Sequence, residues 1–227
     1  MGIERRRAAL TDPPLFIVPT LLVTALLFVL FTLLPWRNPV PKMELNRKSA
    51  IETATQQLSD LGYSLDPHRA SAVLYQTGRA RAARYIRQML PEDDASLYLD
   101  RYEPRIPFWS VRCQSKAARE DCSAEIEAAH RLASFSCHVG EDAAGRTLTA
   151  DESKRRAENY LRVHTLWLPS LRYVGVEEHD RPARRDSTHR WIDSAATIGE
   201  LNRYVRVNVA GDKISAFNTY LEVPPSY

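Results

Sequence analysis

Glycine is scarce in this chain, with 8 among 227 residues, and none falls in a Gly-x-Gly-x-x-Gly or Gly-x-x-x-x-Gly-Lys-Ser/Thr arrangement. The common phosphate cradles of nucleotide enzymes are therefore missing. Cysteine is scarcer still, at 3, with no Cys-x-x-Cys pair. The six histidines, His68, His130, His138, His164, His179 and His189, show neither His-x-x-x-His nor His-Glu-x-x-His spacing. The usual zinc frameworks are thereby removed. No Gly-x-Ser-x-Gly elbow occurs, which counts against a serine hydrolase. An excess of charge of one sign is absent too: 31 basic against 28 acidic residues leaves +3, too little for a nucleic-acid footprint. The expectation is a chain with no catalytic residue, no cofactor, no metal and no nucleic-acid partner.

What the chain does have is an apolar run. From Leu15 to Trp36, 22 residues carry no charge. As a helix this run spans roughly 33 Å, against about 30 Å of bilayer hydrocarbon. It reads as a transmembrane helix over 15–36, with 1–14 a short cytoplasmic N-terminus and 37–46 a linker stiffened by Pro39 and Pro41. A cleaved signal peptide is the rival, because Arg5, Arg6 and Arg7 form a basic n-region, but no small-x-small site follows. Basic residues stand on both sides of the run, so their count only leans towards a cytoplasmic N-terminus. The expected location is the cell membrane, single-pass, with the C-terminal domain extracytoplasmic and the lipid bilayer a partner.

The remainder reads as an α+β pattern used twice. Ser49 and Glu52 have capping-box spacing, with Ala54 and Leu58 at helical spacing and Gly62 as a stop. The design returns with Thr149 and Glu152, Ala157 and Leu161. An internal duplication follows. The spacing predicts helices over 49–61, 78–90 and 92–101 and strands over 69–76, 106–114, 121–128 and 132–139 in the first unit (47–140). The second unit (147–223) has a helix over 150–163 and strands over 171–178, 187–193, 202–209 and 213–221. The expected fold is α+β: one transmembrane helix, then two tandem units, each a helix packed on an antiparallel β-meander.

Alternation sets the register. Hairpins centred after Ala117 and after Ala129 place Cys113 opposite Cys122, and Cys122 opposite Cys137, on the core face. These three cysteines are either buried thiols or a disulfide between Cys122 and one neighbour with one thiol left over. Glu177, Glu178, His179 and Asp180, followed by Arg181, Arg184 and Arg185, form the one mixed charge cluster that invites a functional reading. As a sequence pattern it is a solvated loop. Arg79, Arg81, Arg84 and Arg87 follow a helix face that suits either solvent or anionic lipid.

The ordered series Phe108-Trp109-x-Val111-Arg112, Phe135-Ser136-x-His138, Gly145-x-x-Leu148-Thr149 and Gly211-Asp212-x-Ile214-x-x-Phe217 resembles a known pattern. It is similar to the extracytoplasmic region that precedes the intramembrane core of bacterial CPBP-family, CAAX-protease-like, proteins, with PepSY-like repeated units. The resemblance implies a periplasmic head and covers about residues 47–223. The family's Glu-Glu-x-x-x-Arg motif has no counterpart: after Glu177-Glu178 the arginine comes early, at 181, and Pro182 takes its place. No catalytic residue is carried over. The implied function is a membrane-anchored extracytoplasmic binding or regulatory module without catalytic activity, working with a separately encoded multi-pass membrane protein, its ligand unknown. The alternatives are a divergent tethered hydrolase or a structural remnant of a truncated gene.

Overall fold

Asn46 caps the first helix, α1 (Arg47–Asp60), its side chain accepting the Ser49 backbone N–H at 2.9 Å. Ser49 therefore lies inside the first turn, and the cap sits three residues earlier than its spacing with Glu52 suggests. Leu61 caps the helix and Gly62 follows it, with a φ of +89° that glycine adopts at no steric cost. The later capping box is intact. Thr149 N–H donates to Glu152 Oε2 at 2.8 Å and Glu152 N–H donates back to Thr149 Oγ1 at 3.3 Å. It opens α4 (Ala150–His164).

The computed structural model describes Pro19 and residues 22–26, 45–75, 80–102, 107–115, 120–164 and 168–227. Residues Met1–Val40 and Pro41–Tyr227 are separate units. In the second, α1 is followed by β1 (Asp66–Tyr75), α2 (Ala80–Met89), α3 (Glu92–Tyr102), β2 (Phe108–Gln114), β3 (Glu120–Glu127) and β4 (Leu132–Val139). After α4 come β5 (Leu171–Arg181), β6 (Arg184–Asp193), β7 (Asn202–Ala210) and β8 (Lys213–Glu222).

All eight strands join one antiparallel sheet in the order β1-β2-β3-β4-β8-β7-β6-β5. This corrects the expectation of two tandem PepSY-like units, each with its own meander. The last strands of the two halves pair with each other, Phe135 with Phe217 and Ser136 with Ala216, so the halves share a single sheet and a common main core. Pairing removes an open strand edge from each half. Ala54 and Leu58 of α1 and Ala157 and Leu161 of α4 are all fully buried in that core. Tyr160 of α4 bridges the junction, its ring centroid 6.0 Å from Phe135 and 5.4 Å from Phe217. A second cluster, with Ile86, Tyr98 and Tyr102, packs α2 and α3 on Ala196 and Leu201.

The expected single-pass anchor is corrected as well. No helix among the described residues is long and apolar enough to cross a membrane. Within 15–36 only Pro19 and 22–26 are described, as exposed helical residues, and the rest of that expected span lies outside the described residues.

Candidate functional site

Strand alternation sends Val111, Cys113, Ala124, Phe135, Phe217, Val207 and His189 to the helix-covered side. Their neighbours face the other way, where no helix among the described residues packs. One transverse row crosses all eight strands by register: Ser71, Arg112, Ser123, Ser136, Ala216, Asn208, Thr188 and Glu177. Every member but Ala216 is polar. The next row holds Val73, Ser110, Glu125 and Ser134 on one half, and Asn218, Arg206 and Arg190 on the other.

Where the halves meet, this face sinks into a depression of about 240 Å³ lined by Ser110, Ser123, Glu125, Ser134, Ser136, Arg206, Asn208 and Asn218. Arg206 Nε and Asn208 Oδ1, like Arg190 Nε in the neighbouring strand, are shielded from solvent and have no hydrogen-bond partner. Leaving such a group unpaired costs about 1–3 kcal/mol each. The Arg206 guanidinium is held over the Tyr220 ring at 5.1 Å, and Tyr220 stacks on Tyr204 at 5.3 Å. Arg190, the neighbouring cation, is tied to Glu177 at 2.9 Å. At the far end of the face Tyr75 stacks on Phe108 at 5.4 Å. The sequence reading missed Arg206, Asn208 and Asn218. Their signal was the alternation Tyr204-x-Arg206-x-Asn208 against Val205, Val207 and Val209, which marks a strand with one wholly polar side.

A second polar group lies within the core. Ser153 Oγ is 2.8 Å from His189 Nε2, and His189 Nδ1 is 3.1 Å from Tyr173 Oη. The spacing is that of a nucleophile–base pair. Ser153 and His189 are 1% and 0% exposed, and Ser153 also donates to Ala150 O at 3.1 Å, so the chain of contacts clamps α4 to β6 and β5 with no opening for a substrate.

The cysteines adopt the expected register. Cys122 and Cys137 form a disulfide, while Cys113 is free and buried, its thiol pKa pushed up by burial. The run from Glu177 to Arg181 is solvated, but it is the end of β5, which continues three residues past the strand expected over 171–178, and not a loop. It pairs with β6 through Asp180–Arg185 at 2.6 Å and Arg181–Asp186 at 3.2 Å. Asp180 is held below the usual carboxylate range by Arg185. Arg184 is buried; it pairs with Asp186 at 2.7 Å and donates to the carbonyls of Gly140 at 2.7 Å and Ala143 at 2.8 Å, pinning the β4–α4 loop to the cluster. Among the described residues no group of three or more His, Cys, Asp or Glu side chains is placed to hold a metal. Compared with protein-family models, curated proteins and solved structures, the chain matches none.

Proposed function

We propose that the chain is a non-catalytic binding module whose site is the open face of the eight-stranded sheet. The observation that carries this reading is the depression at the β4–β8 junction, where Arg206 Nε and Asn208 Oδ1 stand unpaired. Both halves supply lining residues, so the joined sheet makes a surface that neither half has alone. The guanidinium, amide and hydroxyl groups that line it suit binding and orienting a ligand. The Cys122–Cys137 disulfide supports an oxidising, extracytoplasmic compartment. The resemblance of 47–223 to a region that precedes an intramembrane core supports a multi-pass protein, encoded separately, as the module's companion.

The test is thermal unfolding of the full chain with and without an envelope extract of the cells that make it. Extract raises the midpoint of the wild type and of Val163→Trp, which alters an exposed position on α4. It leaves Ser136→Trp, which fills the depression, unchanged. An equal rise in all three proteins overturns the reading.

A further inference from the structure

We propose that the depression takes a neutral oligosaccharide lying across the strands, an inference that rests on the binding-module reading and names its ligand.

The open face has no free strand edge at the depression. The strands there are flanked on both sides, so none offers a free edge to an added strand. A peptide that binds by adding a strand would go to the edges, β1 or β5, and not to the junction. Recognition at the depression therefore falls to side chains. Arg206 Nε is a donor in need of an acceptor, Asn208 Oδ1 an acceptor in need of a donor, and the serine hydroxyls around them act as either. A sugar hydroxyl is both donor and acceptor, and a pyranose ring carries several at the spacing of adjacent strand side chains. It brings the acceptor that a guanidinium needs and the donor that an amide oxygen needs in one group.

Charge and shape agree. Among the lining residues Glu125 and Arg206 cancel, and the next cation, Arg190, is taken by Glu177, so a polyanion finds no excess of positive charge. The volume of about 240 Å³ lies below the usual 300–1,000 Å³ of pockets that engulf a small molecule. It suits one stretch of an extended chain that continues over the polar rows. Tyr220 and Tyr204 border it with rings that have an apolar body and a polar tip, the combination that meets the C–H face and the hydroxyl rim of a sugar. Stacking on Tyr220 already holds the Arg206 guanidinium, so less freedom is lost on binding.

The experiment is a titration of the isotope-labelled full chain with chitotetraose and with cellotetraose, followed by backbone amide resonances. Saturable movement of the resonances of 134–136, 206–208 and 216–218 is expected, with Asn208→Ala and Arg206→Gln each weakening the affinity at least tenfold. Val163→Ala, on an exposed position of α4, binds as the wild type does. If both sugars leave those resonances still while envelope extract continues to stabilise the wild type and not Ser136→Trp, the ligand class is wrong and the module stands. If the extract effect is also missing, both readings fall. Movement of the same resonances by an extended peptide or by polygalacturonate, with the sugars silent, likewise overturns the proposal.

Discussion

Ser153 and His189 share a hydrogen bond of 2.8 Å inside the core, between α4 and β6, where neither touches solvent. The contact that most resembles catalytic machinery is thus a structural clamp, and it leaves a signature in the acid stability of the fold.

The His189 pKa is pushed down to about 4, chiefly by burial and then by the charge on Lys154. The unfolded chain takes up this proton below about pH 6.5, while the folded protein resists until about 4. Over that window the unfolded state binds more protons, so stability is complete above it and falls as the pH drops. The loss is about 2–3 kcal/mol by pH 4. Urea unfolding at pH 7.5 and 4.5 measures it, and His189→Asn, which lacks the titration, is expected to lose less between the two. An unchanged pH difference in the variant contradicts the clamp.

Asp193 and Arg203 form an ion pair at 3.0 Å with side chains 1% and 2% exposed. Ser170 Oγ donates to Asp193 Oδ1 at 2.6 Å, and Arg203 Nε donates to Tyr102 O at 3.3 Å, so the pair ties α3 to β7 and β6. Removing either charge strands the other, at about 3–5 kcal/mol. Replacing both, Asp193→Leu with Arg203→Met, is expected to recover most of the loss. Denaturant midpoints of the two single variants and the double variant decide it; simple addition of the single losses would show that the charges do not act as a pair.

The Cys122–Cys137 disulfide closes a separation of 15 residues. Its loss in Cys122→Ser is expected to cost about 3 kcal/mol. A thiol reagent should label no cysteine in the native protein and Cys113 alone after denaturation without reductant. Rapid native labelling at Cys113 would place that residue outside the core.

The local structure was legible because its signals are short-range. The strand expected over 132–139 is Leu132–Val139, since Phe135 and Cys137 alternate with Ser134, Ser136 and His138. The helix expected over 150–163 is Ala150–His164, fixed by the Thr149 box. Two things had no such signal. Beyond the strand expected over 171–178, the run His179–Arg181 shows no alternation in polarity, yet it is strand, because the cross-strand ion pairs Asp180–Arg185 and Arg181–Asp186 replace burial as the reason to pair. The junction of β4 with β8 joins residues some eighty positions apart through two register pairs, Phe135 with Phe217 and Ser136 with Ala216. Neither strand advertises it. The candidate site lies on that junction, so the serines were visible as the polar side of β4 while their meeting with Arg206 and Asn208 was not.

The account stands on the open face being occupied where the protein works, and covalent labelling of tyrosine reads this most directly. Tyr204 and Tyr220 border the depression, whereas Tyr227 is the exposed C-terminal residue, packed edge-on against Tyr85 of α2. Labelled in intact cells and again after purification, Tyr204 and Tyr220 are expected to react at least several-fold more slowly in cells, with Tyr227 equal in both. Equal reaction of all three tyrosines in the two settings would contradict the account.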